Sequence, residues 1–248
     1  MGIGIIVIGS ELLSGKRRDG HLEFVIKALA TRGMELDWAN YLGDDPQRLR
    51  AQLSHAMNSA DVVFSFGGIG ATPDDHTRQC AADAAGLALL KHPEAAAIIE
   101  QRFGAEAYPR RIHMAYLPAN CSLIPNPVNQ IAGFSVADLH FVPGFPQMAW
   151  PMLEWVLDTR YVHLHSTAAM AELLLTLPGV SEGQLMDIMQ HFVIEHPDVR
   201  LSCLPHMDGD YRETELGVRA LPPAAQRAQL WLRSALNEAG FAFKEGGR

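Results

Sequence analysis

The chain has 248 residues, 48% hydrophobic and 19% charged, a balance typical of globular proteins with a sizeable core rather than of long disordered chains. Its formal net charge of −8 argues against general nucleic-acid binding, because an acidic surface without a basic patch repels backbone phosphates. The three cysteines lack Cys-x-x-Cys spacing, which argues against a disulfide framework or a structural zinc site and favours a reducing, cytoplasmic compartment.

The first part of the chain alternates strands with amphipathic helices. The amino-terminal apolar run Ile3–Ile8 is too short to span a bilayer, lacks the features of a signal peptide, and predicts a strand covered on both faces. The further predicted elements are a helix between Asp19 and Gly33, a strand at 34–42, a helix opened by Asp45 and Pro46, a strand at 61–66, a helix at 95–103, a strand at 140–142 and a helix at 146–157. This order predicts an α/β fold of three α/β/α layers around a mostly parallel sheet.

The rest of the chain follows a different order. The predicted elements are a strand at 171–177, a helix at 181–196 capped by Ser181, strands at 199–205 and 212–220, a helix at 224–239 and a short strand ending at Lys244. The resulting order βαββαβ is typical of a ferredoxin-like α+β domain. We therefore expect two domains, 1–160 and 161–248.

Three loops follow the first three predicted strands, at residues 9–15, 43–45 and 67–70. The carboxyl ends of parallel strands meet at one edge of a sheet, so we expect these loops to converge where such sheets bind ligands. The glycines of the third loop suit close approach of backbone N–H groups to a phosphate, although a plain tight turn explains them equally well. The loops match neither G-x-x-x-x-G-K-[ST] nor G-x-G-x-x-G, which argues against a P-loop or a dinucleotide-binding oxidoreductase fold.

Five motifs in the first domain occur in a fixed order. They are GSELLSGK at 9–16, YLGDD at 41–45, GGIGATPDDHTR at 67–78, PNP at 125–127 and VPGFPQM at 142–148. Together they resemble the molybdopterin-binding (MoaB/Mog-like) fold, which is shared by molybdenum cofactor biosynthesis proteins and the amino-terminal domain of competence/damage-inducible protein A (CinA). The resemblance covers residues 1–158. It implies a stand-alone member with a small appendage and without the carboxyl-terminal amidase domain, assembled as a homodimer or homotrimer.

The resemblance also implies which residues bind the ligand. In that family the glycine loop cradles the ligand's phosphate, and the family's two important aspartates correspond to Asp44 and Asp75 in this chain. The positions implied for substrate or phosphate binding are Ser10, Glu11, Gly67, Gly68, Gly70, Thr72, Thr77, Asn126, Pro143 and Gly144. The chain departs from the common pattern at Ser10, where relatives often carry Asp or Thr, and at Ile69, where molybdenum cofactor proteins usually carry Thr.

Acids beside a phosphate site predict a bound cation. An aspartate that faces a phosphate is unfavourable unless a cation lies between them, so Asp44 and Asp75 are the predicted catalytic residues and the predicted ligands of Mg²⁺, Mn²⁺ or Co²⁺. Glu11 is either a further metal ligand or base, or an ordinary solvated acid. Asp45 is predicted to cap the helix that follows it, and Asp74 to cap the helix after the glycine loop.

Three functions remain open from the sequence. The first is a metal-dependent nucleotide pyrophosphatase that hydrolyses ADP-ribose or FAD-like substrates. The second is a non-catalytic protein that binds molybdopterin or takes part in molybdenum cofactor biosynthesis, and the Ile69 departure, which removes a hydroxyl, weakens this alternative. The third is an oligomeric scaffold, against which the retained acids argue. In the first two cases the partner is a small nucleotide or pterin phosphate, with no nucleic acid and no membrane involved.

Overall fold

A computed structural model describes residues 1–166, 170–209 and 211–247 of the chain. The chain divides into two compact units, residues 1–165 and 166–248. In the part of the chain that the structure describes, no helix is both long and apolar enough to span a membrane.

The first unit contains eight strands, six of which form one sheet. They are β1 (Ile3–Ile8), β2 (Trp38–Leu42), β3 (Val62–Phe66), β4 (Leu89–Lys91), β5 (Tyr116–Pro118), β6 (Ser122–Ile124), β7 (Gly133–Val136) and β8 (Leu139–Val142). The large sheet has the order β2-β1-β3-β8-β7-β6. Its first four strands pair in parallel, β7 and β6 add an antiparallel edge, and β4 and β5 form a separate ribbon. The predicted mostly parallel sheet is therefore confirmed.

Helices cover both faces of this sheet. They are α1 (Ser10–Leu13), α2 (His21–Ala30), α3 (Pro46–Met57), α4 (Thr77–Ala85), α5 (Pro93–Phe103) and α6 (Pro146–Arg160), with 3-10 turns at Gly104–Ala107, Arg111–Ala115 and Val162–Leu164. Strand β1 is buried along its whole length and alternates between two cores. Ile6 and Ile8 pack on the side of α3, α4 and α5, whereas Ile5 and Val7 pack on the side of α2 and α6. This alternation produces the three layers.

The first unit differs from the sequence prediction in its second strand and in several short elements, among them β4, β5 and α1, which were not predicted. The second strand begins at Trp38 rather than at residue 34, because Met34 donates its N–H to the carbonyl of Leu29 (3.0 Å) and closes the end of α2. The antiparallel strands β6 and β7 were not predicted, because three and four residues are too few to show a period.

The second unit has its own antiparallel sheet and core. Its elements are β9 (Ala171–Pro178), α7 (Met186–Glu195), β10 (Arg200–Asp208), β11 (Tyr211–Ala220), α8 (Pro222–Glu238) and β12 (Lys244–Glu245). The sheet order is β10-β11-β9-β12, and the element order is the predicted βαββαβ. The predicted helix at 181–196 begins as a 3-10 turn, Glu182–Leu185, in which Ser181 and Gln184 form a capping box.

Candidate functional site

A cavity of about 480 Å³ lies at the carboxyl edge of the parallel strands of the first unit. The loops after β1, β2, β3 and β8 contribute Gly9, Asp44, Gly67 and Pro143 to its lining. This edge is where α/β sheets bind ligands, and the volume lies within the range of roughly 300–1,000 Å³ that is usual for small-molecule sites. The first three loops therefore meet around one cavity.

The glycine loop after β3 has a backbone that requires glycine. Gly67 and Gly68 have φ values of +103° and +68°. A Cβ atom on Gly67 would lie 2.6 Å from the carbonyl oxygen of Ile8, and one on Gly68 would lie 2.2 Å from the hydroxyl oxygen of Thr77. The loop is also tied down, because Gly67 donates its N–H to the carbonyl of Val142 at 3.0 Å. Larger residues would displace the loop from the end of the sheet.

Thr77 supports the glycine loop from beneath. Its side chain is fully buried, its hydroxyl donates to the carbonyl of Gly67 at 3.0 Å, and its N–H donates to the carbonyl of Gly68 at 3.0 Å. Thr77 does not line the cavity, so the structure gives this predicted phosphate-binding residue a structural role instead. Thr77 is the first residue of α4 and lies next to the glycine loop, so its hydroxyl bonds to the loop backbone and not to a ligand.

Arg78 also holds the glycine loop, a role that was not predicted from the sequence. Its guanidinium donates to the carbonyl of Gly70 at 2.7 Å and to the carbonyls of Tyr116, at 3.2 Å, and His113. Burial lowers the pKa of Arg78 from its ordinary value. Two of its partners lie 35 and 38 residues away along the chain, which is why local sequence patterns do not reveal the contact.

Asp75 lies against the glycine loop and organises the turn after it. Its carboxylate accepts hydrogen bonds from the N–H of Thr72, at 2.8 Å, and from the hydroxyl of Thr72. A Cβ atom on Gly70 would lie 2.6 Å from Asp75 Oδ2, so the missing side chain leaves room for the carboxylate. Thr72 and Asp75 both line the cavity. The predicted cap by Asp74 is wrong, because α4 begins at Thr77 and has no side-chain cap.

Asp44 and Asp45 are adjacent but have separate roles. Asp44 lines the cavity and accepts a hydrogen bond from the N–H of Ser10 at 2.9 Å, while its own N–H donates to the Ser10 hydroxyl at 3.2 Å. Ser10 does not line the cavity, so it positions Asp44 rather than facing the cavity itself. Asp45 accepts from the N–H of Arg48 at 2.8 Å, which confirms the predicted cap of α3.

The loop after β1 brings charges of both signs to the cavity. Glu11 and Arg17 line it, and the N–H of Arg17 donates to the carbonyl of Glu11 at 3.1 Å. Among the described residues that line the cavity, Arg17 is the only lysine or arginine. The carboxylates that share the lining are Glu11, Asp44, Asp74 and Asp75. The cavity therefore carries an excess of negative charge, which an anionic ligand must offset by bringing a cation.

Asp19 and His21, at the start of α2, link this helix to β2 and to the loop after β8. Asp19 accepts hydrogen bonds from the hydroxyl of Tyr41, at 2.6 Å, and from the N–H of His21, at 2.8 Å. Burial by itself raises the pKa of Asp19, but these bonds outweigh it and lower the pKa below its ordinary value. His21 Nε2 lies 3.2 Å from the carbonyl oxygen of Gly144, and burial lowers the pKa of His21. His21 is therefore neutral near pH 7 and donates to that carbonyl.

The PNP and VPGFPQM motifs contribute in different ways. Pro143 and Gly144, which were predicted to bind substrate or phosphate, line the cavity. Asn126 does not line it; this side chain is buried, donates to the carbonyl of Ile131 at 3.1 Å and accepts from the N–H of Val128 at 3.0 Å. Asn126 thus shapes the loop that carries Asn129 and Ile131. Lining residues that were not predicted from the sequence include Phe103, Met114, Asn129, Ile131 and Met148.

The donor set of the cavity fits a cation that arrives with a ligand. Within the described residues, no three His, Cys, Asp or Glu side chains come together in a way that could hold a metal ion. Asp44 and Asp75 nevertheless offer carboxylate oxygens to the same cavity. Mg²⁺ is usually bound by one or two carboxylates, by substrate phosphates and by water. The two aspartates therefore suit a cation whose remaining ligands are phosphate oxygens and water.

Comparisons with known proteins agree with this architecture. Residues 4–163 match the model of a family described as a probable molybdopterin binding domain. The chain is 32% identical to a CinA-like protein of Citrifermentans bemidjiense and 31% identical to one of a Geobacter species, and each alignment covers 98% of this chain and 60% of the relative. The chain thus spans about 60% of the length of these relatives. The crystal structure of CinA from Thermoplasma acidophilum, a protein of unknown function, superimposes with a TM-score of 0.58 at 27% identity and covers 64% of this chain and 98% of that chain.

Proposed function

This chain belongs to the probable molybdopterin-binding domain family, and on that premise we propose that its cavity binds the phosphates of a nucleotide or pterin and hydrolyses a pyrophosphate bond in nucleotides such as ADP-ribose or FAD, aided by a divalent cation. One observation carries the proposal. The glycine loop and the carboxylates of Asp44 and Asp75 line the same cavity.

The glycine loop offers free donors for a phosphate. Among the described residues, nothing accepts a hydrogen bond from the backbone N–H groups of Gly68, Ile69 and Gly70. Consecutive N–H groups at such a turn form a concave site that suits an anion. Arg17 supplies a side-chain cation to the same cavity. These donors would bind one phosphate of a diphosphate and orient it toward the carboxylates.

The cavity carboxylates would have two roles, binding the cation and accepting a proton. Asp44 and Asp75 would hold a divalent cation, which when bound neutralises charge on the transferring phosphoryl group and lowers the pKa of a water molecule. Glu11, on the cavity lining, is the candidate base that accepts the proton of the attacking water. The new O–P bond forms as the bridging P–O bond breaks, so ADP-ribose and water yield AMP and ribose 5-phosphate.

A second candidate function is a carrier that binds molybdopterin without turnover. The match of residues 4–163 to a family described as a probable molybdopterin binding domain favours it. The two functions differ in one measurable respect. The hydrolase consumes ADP-ribose or FAD, whereas the carrier retains a fluorescent pterin through gel filtration and releases no product.

The test of the hydrolase function is a product assay with ADP-ribose and FAD in the presence of Mg²⁺, Mn²⁺ or Co²⁺. We expect metal-dependent cleavage by the unaltered protein and its loss in Asp75→Asn, because the amide cannot offer a charged oxygen to the cation. The thermal stability of Asp75→Asn should stay nearly unchanged, since the Asn oxygen still accepts from Thr72. The matched control is Asp83→Asn, which removes an exposed carboxylate of α4 outside the cavity.

Three results would argue against the hydrolase function. The first is no cleavage of either substrate with any of the three metals. The second is an Asp75→Asn variant that retains full turnover but loses stability, which would give Asp75 a purely structural role. The third is an equal loss of turnover in Asp83→Asn, which would show that the assay responds to net charge and not to the cavity.

A further inference from the structure

The sheet of the second unit has a long edge strand, β10. This strand is nine residues long and stands at the end of the sheet order β10-β11-β9-β12. Two of its apolar side chains, Leu204 and Met207, leave 59% and 68% of their surface exposed. Within the described part of the chain, no strand pairs with β10 on its outer side. A long edge strand with exposed apolar side chains can pair with a strand of another chain.

Hydrogen bonds within the sheet show which backbone groups of β10 face this edge. Gly179 donates its N–H to the carbonyl of Arg212 at 2.8 Å, so Arg212 bonds toward β9 and the next residue of β11, Glu213, bonds toward β10. Glu213 lies opposite His206, so the even-numbered residues of β10 bond to β11. The odd-numbered residues therefore point their backbone groups out of the sheet; they are Leu201, Cys203, Pro205 and Met207.

The outward backbone groups of β10 have no partners among the described residues. Nothing there accepts a hydrogen bond from the N–H groups of Leu201, Cys203 and Met207. Pro205 has no N–H, and its outward position is the one at which an edge strand accommodates a proline. The edge therefore offers backbone donors on both sides of Pro205, together with their carbonyls.

The charges of β10 match those of a second, antiparallel copy of the same strand. On the face of the sheet away from the core, Arg219 lies opposite Glu172 on one side and opposite Arg200 on the other. Like charges directly opposite one another destabilise a sheet, so an acid on the outer side of Arg200 would be favourable. An antiparallel copy centred on Leu204 places its own Asp208 there, because positions 200 and 208 are equally far from 204.

The same register also pairs the exposed apolar side chains. Leu204 lies opposite Leu204 of the second copy, and Leu201 lies opposite Met207 of the second copy. Leu201 already packs against the core of the second unit, so Met207 of the second copy would extend that core. A shift of the register by two residues in either direction would separate Arg200 from Asp208 of the second copy. Charge and apolar contacts therefore favour one register.

We propose that β10 pairs antiparallel with β10 of a second copy, centred on Leu204, and joins two four-stranded sheets into one. The N–H groups of Leu201, Cys203 and Met207 donate to the carbonyls of Met207, Pro205 and Leu201 of the second copy, respectively. Because Pro205 cannot donate in return, the ladder is incomplete and its terminal ion pairs matter for affinity. The pairing does not depend on the proposed function, since the cavity belongs to the first unit.

Charge reversal tests the ion pairs. Analytical ultracentrifugation of the full chain gives the dimer dissociation constant of the unaltered protein, of Arg200→Asp and of Asp208→Arg. Each reversal alone places like charges opposite one another at both ends of the paired strands, so we expect dimerisation to weaken by about tenfold or more. An equimolar mixture of the two variants should dimerise like the unaltered protein, because opposite charges then meet at both ends. Arg227→Asp, at an exposed position of α8, is the matched control and should have no effect.

Disulfide formation tests the register independently. The two Leu204 residues form a non-hydrogen-bonded pair, in which the Cα atoms lie about 4.5 Å apart, within the range that a disulfide spans. With oxidised glutathione as the oxidant, Leu204→Cys should therefore give a covalent dimer. Leu230→Cys, at an exposed position of α8, should not. The unaltered protein should not cross-link either, because Cys203 lies opposite Pro205 of the second copy.

Three results would overturn the pairing. A chain that is monomeric at every concentration tested would leave the edge of β10 to a strand of another protein. A dimer that resists both charge reversals and is not cross-linked through Leu204→Cys would assign assembly to another surface. Folded Arg200→Asp and Asp208→Arg variants that fail to dimerise when mixed would exclude the proposed register; thermal unfolding of each variant shows that it is folded.

Discussion

Two polar clusters in the first unit differ in their access to ligand. Around the glycine loop, carboxylates and backbone N–H groups line an open cavity. At β7, β8 and the end of α6, a mostly buried chain of four side chains is linked by hydrogen bonds, in which Ser135, His140 and Tyr161 are buried and Asp138 is exposed. Its members, in order, are Ser135, His140, Tyr161 and Asp138.

The hydrogen bonds of the buried chain fix its protonation. The Tyr161 hydroxyl donates to Asp138 at 2.7 Å, so it accepts from the Nε2–H of His140 at 2.7 Å. His140 Nδ1 must then accept from the hydroxyl of Ser135 at 2.8 Å. Burial lowers the pKa of His140 to about 3, and burial together with the bond to Asp138 raises the pKa of Tyr161. Both residues are therefore neutral near pH 7.

The buried chain is expected to contribute to the stability of the fold, and the cavity groups to ligand binding. In the buried chain the ring nitrogens and hydroxyls have partners, so its contribution is to the folded state. In the cavity, three loop N–H groups have no acceptor among the described residues, and Asp44 and Asp75 offer carboxylate oxygens that the loop does not fully use. Groups left in this way are available to a ligand. Substitutions in the two clusters should therefore have opposite effects on turnover and stability.

The largest effect is expected for Asp44→Asn. Turnover of ADP-ribose should fall on the order of 10³-fold, equivalent to about 4 kcal/mol of transition-state stabilisation, because one charged ligand of the cation is lost. The Asn side chain still accepts from the N–H of Ser10, so the melting temperature should change little. Steady-state kinetics and thermal unfolding measure the two effects. Retained turnover would remove Asp44 from the cavity chemistry.

His140→Leu should show the reverse. The free energy of unfolding should fall by about 3 kcal/mol, since Ser135 and Tyr161 each lose a buried partner, while turnover per folded molecule stays unchanged. Denaturant unfolding measures the loss, and His55→Leu, an exposed histidine of α3, is the control. A large drop in turnover at unchanged stability would show that His140 acts on the cavity and would contradict the separate roles of the two clusters.

The buried chain also predicts a pH dependence. The pKa of His140 is about 3 in the folded protein against an ordinary value of 6.5. Between these values the unfolded chain binds a proton that the folded protein does not, so this stabilisation is complete above about pH 6.5 and is lost as the pH falls. The unaltered protein should lose up to about 1.4 kcal/mol per pH unit more than His140→Leu between pH 6 and pH 4. Parallel stability curves would contradict this.

The smallest effect is expected for Asp45→Ala. Loss of the cap on α3 should reduce the free energy of unfolding by about 1 kcal/mol, with turnover unchanged. The neighbouring Asp44→Asn then provides the contrast. Asp45 caps a helix, whereas Asp44, one position earlier in the sequence, lines the cavity. Chemical denaturation and the ADP-ribose assay together resolve them. Loss of turnover in Asp45→Ala would mean that the cap also shapes the cavity.

The sequence predicted those parts of the fold and of the candidate site that depend on periodicity. The parallel strands were apparent from their continuous apolar runs, and the shared edge that places Asp44 near Gly67 follows from their direction. The family inferred from the five motifs is confirmed by the match over residues 4–163.

The other parts depend on contacts that no local pattern reveals. Thr77 and Asn126 carry polar groups typical of ligand binding, yet their side chains bond inward to loop backbone. Arg78 contacts the carbonyl of Tyr116, which is 38 residues away along the chain. The cavity lining likewise combines Phe103 with residues from distant segments. Single-sequence patterns describe which residues share an element, but not which carbonyl a buried side chain will reach.

Phosphate and cation are proposed to bind the cavity together, and calorimetry measures this coupling. Mn²⁺ is titrated into the protein alone, into the protein with saturating ADP-ribose, and into Asp75→Asn with the same ligand. We predict little binding to the protein alone, because the described residues include no three-ligand metal group, and clear binding with ADP-ribose that Asp75→Asn abolishes. Equal Mn²⁺ binding with and without ADP-ribose, or unaltered binding to Asp75→Asn, would contradict the claim.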